Sequence, residues 1–239
     1  MRRRIAVGCR ILAHAGLCED ILGHISARVD DDTILVRSRG PHEQGLLFTT
    51  AADVRPWSLT RWAVEEPSVY APPNELPIHV ACYRADPAVG AVVHAHPPAV
   101  VAADLAGIEL VPMIGAYNIP AATLAAGGIA VYPRGVLINT AELGCEMVAA
   151  MAGRPVCVLR GHGLTATGAT IEQAVARALA VDALARMACR VAQLGTTPVA
   201  LPADDLDQLP DLGSAFNDDL LWRHHEQRLE RAGLGLGAP

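Results

Sequence analysis

The sequence predicts one mixed α/β domain, and three observations lead there. The chain has 239 residues, enough for one substantial core. It is 51% hydrophobic and 18% charged, a composition that folds rather than staying disordered. Short β-branched runs also alternate with segments of helical period, and there is no internal repeat. Aromatic residues are only 4%, so the core must be built from Ala, Val, Leu and Ile.

Residues 3–17 read as a first helix that ends near Gly16. Ile25–Val29 and Thr33–Val36 alternate and predict a hairpin around Asp30-Asp31-Asp32. Leu46–Thr49 reads as a further short strand. Residues 75–85 form a helix stopped near Asp86-Pro87, and Ala91–His96 is a strand. Ala99–Ala106 begins another helix. Gly127–Val131 and its neighbours hold a Gly-rich turn and a strand that leads to Tyr132-Pro133-Arg134. A helix over 140–152 ends at Gly153, and Pro155–Arg160 is a short buried strand. Thr170–Leu194 is a long amphipathic helix, with Thr170 as N-cap and Gly195 at its C-terminal end. Residues 195–215 are rich in Pro and Asp and read as a linker. Asp218–Ala232 is a last helix carrying Trp222, His224 and His225.

Several classes of function are excluded or disfavoured. A formal charge of −6 argues against a general nucleic-acid binder, which needs a basic face. No apolar run is long enough to span a bilayer. Met1-Arg2-Arg3-Arg4 is basic, but the apolar stretch after it is short and broken by Arg10, His14 and Glu19-Asp20, so it reads as a helix rather than a signal peptide. The 6 cysteines are scattered without a CxxC pair, as expected of buried thiols in a reducing cytoplasm.

The most informative segment is Val92-Val93-His94-Ala95-His96-Pro97-Pro98. In a strand, residues i and i+2 point to the same face, so His94 and His96 present two imidazoles to one point. The two prolines end the strand there, where a site opens to solvent. Downstream, His162 stands between Gly161 and Gly163 just after a buried strand, in a turn that lets its ring reach inward. Upstream, Glu75 and His79 are four residues apart and share a helix face. Three histidines and a carboxylate form a plausible shell for a divalent transition metal with an open position. His79 reads better as a supporting residue behind that shell than as a ligand.

These residues, together with Gly23-His24-Ile25-Ser26-Ala27-Arg28, make the chain resemble the class II aldolase/adducin family over residues 5–195. The resemblance implies a three-layer α/β/α fold around a mainly antiparallel sheet. It implies that His94, His96 and His162 bind the metal, normally zinc or manganese, and iron and cobalt suit the same donors. It makes Glu75 a metal ligand, a catalytic acid/base, or both. It implies a homo-oligomer, with a tetramer favoured and active sites between subunits. Residues 1–195 would be the catalytic domain. Residues 196–239 would be a linker and a helix that packs at the subunit interface.

Where the family's sugar-phosphate aldolases carry phosphate-binding Asn, Thr-Gly and Ser-Ser, this chain has His24, Arg39-Gly40 and Pro73-Asn74. A guanidinium pairs well with a planar carboxylate. The changed residues predict a carboxylate-bearing small-molecule substrate and resemble the decarboxylase branch of the family, which acts on hydroxylated aromatic dicarboxylates. The expected reaction is loss of carbon dioxide from an ortho-hydroxy aromatic dicarboxylate through a metal-stabilised enolate. Arg39 would hold the second carboxylate, and His24, Glu75 or water would return the proton. Tyr117 lies near the position where the family's aldolases place a catalytic tyrosine. The rival readings are an aldolase for non-phosphorylated hydroxy-keto acids and, much less favoured, a non-catalytic adducin-like module.

Overall fold

The computed structural model describes residues 1–60 and 69–237. Its elements are α1 (Arg2–His14), β1 (His24–Arg28), β2 (Thr33–Arg37), β3 (Val54–Ser58), α2 (Leu76–Ala85), β4 (Ala91–Ala95), α3 (Pro98–Leu105), α4 (Ile119–Ala126), β5 (Ala130–Tyr132), α5 (Ala141–Met151), β6 (Val156–Leu159), β7 (Gly163–Gly168), α6 (Ile171–Gln193), α7 (Ala203–Asp207) and α8 (Leu221–Arg231). One sheet runs in the order β3-β2-β1-β4-β7-β6-β5. Every pairing is antiparallel except β5 with β6.

The sheet is covered on both faces, as expected of a three-layer domain. Ile25, Ala27, Val93 and Ala95 project to one face, where they pack with Ile11 and Leu12 of α1 and with Val175, Ala178 and Val181 of α6. Ile34, Val36 and Val92 project to the other face, against Ile78 and Cys82 of α2 and Met147 of α5. The alternation along each strand is what divides the apolar residues between two cores.

Thr170 caps α6 as its sequence position predicts, accepting a hydrogen bond from the Gln173 N–H. The C-terminal helix α8 buries Trp222 and Leu229 in the same core as α1 and α6, so its apolar face is used within its own chain. The segment read as a linker contains α7 and is tied back by the Leu201 N–H to the Pro112 carbonyl, at 3.0 Å. None of the described helices is long and apolar enough to cross a membrane.

Leu46–Thr49 is not a strand. Leu46–Phe48 forms a 3-10 turn entered from Gly45 at φ 89 and closed by the Thr49 hydroxyl donating to the Leu46 carbonyl at 2.8 Å. That local bond outcompetes pairing, because Leu46 is buried by the turn while Phe48 faces outward. Besides α7, the elements β3, β7 and α4 are absent from the sequence reading. β3 contains Pro56, which argues against an interior strand and is tolerated here because β3 is an edge. β7 begins and ends in glycine and carries two threonines with one leucine, so its sequence lacks the β-branched apolar run of a buried strand. The last helix, expected from Asp218, begins as α8 at Leu221, after a π-helical turn over Ala215–Leu220.

Candidate metal centre and active site

His94 is on β4, and His24 of β1 lies directly opposite it in the antiparallel register. On the other side β7 pairs with β4, bringing the tip of the β6–β7 hairpin beside the end of β4. His162 occupies that tip. Gly161 at φ +60 makes the turn, and a Cβ at Gly163 would stand 2.3 Å from the Ala95 carbonyl oxygen, so only glycine allows β7 to approach β4 this closely. The His162 ring thereby reaches a point that the chain order alone does not indicate.

Four donors converge there. His94 Nε2 is 2.8 Å from His96 Nε2, and His162 Nε2 is 3.1 Å from His96 Nε2. Glu75 Oε2 is 3.1 Å from His94 Nε2 and 3.6 Å from His162 Nε2. All four ligand atoms lie within 4.8 Å of one another. Glu75 is the N-cap of α2 rather than a residue inside it, and its other oxygen accepts from the Ile138 N–H at 3.2 Å.

The donor set fits a divalent cation. His94 Nδ1 faces the Leu164 carbonyl at 3.1 Å, so the ring hydrogen belongs on Nδ1 and Nε2 carries a lone pair. Around that lone pair gather two other imidazole nitrogens and a carboxylate oxygen, four donors that one cation would bridge. Tetrahedral ligands about 2.0–2.1 Å from a zinc ion stand roughly 3.3 Å apart, close to the 2.8, 3.1, 3.1 and 3.6 Å of the contacts given above. Burial alone would raise the Glu75 carboxyl, but the His162 and His94 contacts override it and hold it well below the usual carboxylate range. Burial and the neighbouring His94 and His162 rings lower His96 to about 3. His96 is therefore neutral, as a ligand must be.

Behind this centre lies a second layer. The His24 ring centroid is 4.9 Å from those of His94 and His79. His24 Nδ1 meets His79 Nε2 at 2.7 Å, His79 Nδ1 meets Ser26 Oγ at 2.6 Å, and Ser26 Oγ meets the Tyr83 hydroxyl at 2.8 Å. His79 is wholly buried and supports His24, so it stands behind the metal-binding group rather than in it. Burial first, then the adjacent His94 and His79, hold His24 well below the ordinary histidine range. His79 is lowered to about 3, mainly by burial.

Arg39 forms a backbone bridge with Ala71, four residues before Glu75, and its buried Nε has no hydrogen-bond partner among the described residues. Its neighbour Arg37 is buried and paired with Glu43, which also accepts from the Gly45 N–H at 2.7 Å, so this pair folds the loop that follows Arg39. Arg28 is committed to the Tyr83 and Val89 carbonyls. Tyr117 is 77% exposed. It lines an open groove of about 1290 Å³ with Arg177, Arg186 and Phe216, and that groove includes none of the histidines of the centre. Donor chemistry rather than cavity size therefore identifies the candidate site.

The sequence reading did not single out Tyr83 or Asp104. Asp104 accepts from the Gly161 N–H and pairs with Arg160, bracing the His162 turn.

Comparison with known proteins agrees with this geometry. Residues 3–189 match the model of the class II aldolase and adducin N-terminal domain. The chain is 50% identical over 238 residues to a 3,4-dihydroxyphthalate decarboxylase of Terrabacter sp. (strain DBF63), covering 95% of this chain and 96% of that one. It is also 50% identical over 234 residues to a 3,4-dihydroxyphthalate decarboxylase of Arthrobacter keyseri, covering 97% and 94%. An aldolase II superfamily protein of Pseudomonas syringae has the same fold, with a TM-score of 0.79 at 20% identity over 98% of this chain and 93% of that one.

Proposed function

This chain belongs to the class II aldolase and adducin family, and from that premise we propose that it is a metal-dependent carboxy-lyase acting on a dihydroxyphthalate-type substrate. The observation that carries the reading is identity of 50% along nearly the whole length of two dihydroxyphthalate decarboxylases, combined with an intact His/Glu group.

His94, His96 and His162, with Glu75, are the residues that would hold a divalent cation, zinc or manganese being favoured and iron or cobalt suiting the same donors. Such a cation supplies positive charge next to the substrate oxygen on which negative charge develops. In 3,4-dihydroxyphthalate the carboxylate beside the 3-hydroxyl is the one that leaves. The ring carbon that bears it takes a proton as the 3-hydroxyl gives up its own, which makes the keto form. The C–C bond then breaks, the carboxylate leaves as carbon dioxide, and the electron pair passes to the adjacent oxygen as the ring regains its aromaticity.

The chain's own residues do the rest. Arg39, with an unpartnered and buried Nε beside the segment leading to Glu75, pairs with the carboxylate that stays. The Arg37–Glu43 pair fixes the loop that carries it. Glu75 stays ionised between His94 and His162 and keeps their Nε2 atoms aimed at one point. The exposure of Tyr117 suits a role across a subunit boundary in a homo-oligomer, with a tetramer favoured.

The test is carbon dioxide release from 3,4-dihydroxyphthalate and other ortho-hydroxy aromatic dicarboxylates by enzyme stripped with chelator and reloaded with manganese or zinc. Metal-dependent release supports the proposal. No release from any of these acids, with aldehyde formed from hydroxy-keto acids instead, would replace it with the aldolase.

A further inference from the structure

Four buried side chains form a continuous hydrogen-bonded chain that ends beside the metal-binding group: Tyr83, Ser26, His79 and His24. Their exposures are 2%, 0%, 0% and 4%, so water does not complete the bonds of the first three. The hydrogens in such a chain can run in two directions. Only one direction satisfies every member.

Tyr83 is an un-ionised phenol, because burial raises its pKa far above the ordinary range. Its hydrogen needs an acceptor, and Ser26 Oγ at 2.8 Å provides one. The Ser26 hydrogen is then free for His79 Nδ1 at 2.6 Å. His79 therefore carries its own hydrogen on Nε2 and donates it to His24 Nδ1 at 2.7 Å. A His24 ring whose Nδ1 accepts is not an imidazolium, so it carries its one hydrogen on Nε2. In the reverse direction Ser26 would donate to Tyr83, and the buried phenol hydrogen would have no acceptor in the chain.

We infer that Tyr83, Ser26 and His79 lock His24 in the tautomer with hydrogen on Nε2, and that this N–H is the hydrogen-bond donor to the substrate oxygen on which charge collects. The inference rests on the decarboxylase reading for its substrate, not for the lock itself. His24 Nε2 has no hydrogen-bond partner among the described residues, and the ring stands 4.9 Å from that of His94, centroid to centroid. A neutral imidazole is a poor proton donor, since giving up its last hydrogen leaves an imidazolate. It is a good fixed dipole, and neutral histidine is used this way elsewhere to polarise a carbonyl. The chain is also a poor proton conduit, because moving each hydrogen one step would leave a buried Tyr83 phenolate. His24 is thus an electrophilic donor, Tyr83, Ser26 and His79 are positioning residues, and the proton for the ring carbon comes from another source.

The test uses full-length protein labelled with nitrogen-15 histidine and loaded with zinc, which is diamagnetic. Nitrogen–proton correlation spectra report the tautomer of each ring, and the His24 signals are those that vanish in His24→Gln. The expected spectrum shows His24 protonated at Nε2, with that preference weakened in Tyr83→Phe and Ser26→Ala. In kinetics, these two variants lose about 10-fold in kcat while KM and bound metal stay constant. His24→Leu loses about 100-fold or more, the usual cost of one donor to a developing oxyanion. His24→Gln, whose amide N–H can occupy the Nε2 position, retains most of what His24→Leu loses. His24 protonated at Nδ1 in the wild-type protein overturns the lock, and so does Tyr83→Phe with unchanged tautomer and kcat. His24→Gln as inactive as His24→Leu overturns the donor role. A wild-type enzyme that releases no carbon dioxide retires the decarboxylase reading alone, since the tautomer spectrum needs no substrate.

Discussion

Asp104 on α3 reaches across to the β6–β7 hairpin and accepts a hydrogen bond from the Gly161 backbone N–H at 2.7 Å. Its other oxygen pairs with Arg160 Nε at 3.1 Å. One carboxylate thus braces both residues that precede His162, in a turn whose Gly161 has φ +60. Asp104→Ala is expected to weaken metal binding by about 10-fold, the scale seen when support behind a ligand is removed. Activity should return at excess metal. Titration of the stripped variant with zinc checks this, and affinity equal to wild type would show that the hairpin holds His162 unaided.

His94→Ala removes the ligand whose orientation is fixed by the Leu164 carbonyl. Bound metal and carbon dioxide release should both fall by on the order of 100-fold or more. Elemental analysis of the purified variant reads the first and a release assay the second. A variant that keeps a full complement of metal at this centre would remove His94 from the ligand set.

Arg39→Ala should raise KM for an ortho-hydroxy dicarboxylate by about 10- to 100-fold, the equivalent of one charge-assisted hydrogen bond of about 1.5–3 kcal/mol. An ortho-hydroxy monocarboxylate, which lacks the group Arg39 would hold, should respond little. Equal losses on both substrates would count against the clamp and for a general role of the Arg39 loop.

Gly163→Ala introduces a Cβ 2.3 Å from the Ala95 carbonyl and 3.0 Å from His96 Cα. Backbone is on both sides, so β7 must move away from β4. The variant is expected to lose metal binding and a large part of its thermal stability, while Gly153→Ala, with nothing near its Cβ, serves as a comparison for φ strain alone. Thermal melts with and without zinc distinguish the two.

His225 on α8 is lowered to about 4 by burial, then by His224, Arg228 and His14. The folded protein therefore favours the neutral ring, while the unfolded chain binds a proton near the ordinary histidine value of 6.5. The stability this contributes is present above pH 6.5 and is lost as pH falls towards 4. The loss is about 1–2 kcal/mol after solvent screening. Urea denaturation across that range should show a shallower acid decline in His225→Gln than in the wild type. Identical slopes would place the acid sensitivity in other groups.

Much of this protein is legible in its sequence because much of it is local. The alternation of a strand brings His94 and His96 to one face whatever else the chain does. Thr170 caps α6 through a bond three residues long. The presence of Arg39 and His24 where the family resemblance leads one to expect phosphate-binding residues is likewise noted without coordinates. What lies beyond the sequence is set by long-range pairing. The order β4-β7-β6 brings His162 to His94, and the N-cap position of Glu75 turns its carboxylate inward rather than along a helix face. Leu46–Phe48 became a 3-10 turn and Pro56 entered an edge strand, because burial and edge position overrode local pattern. Tyr117 is exposed and lines a groove that holds none of the four metal-binding residues, a placement its sequence position does not reveal. The chain from Tyr83 to His24 joins α2 to β1 across 57 residues at its first bond, and hydrogen-bond direction along it is decided only once burial has removed water from every link.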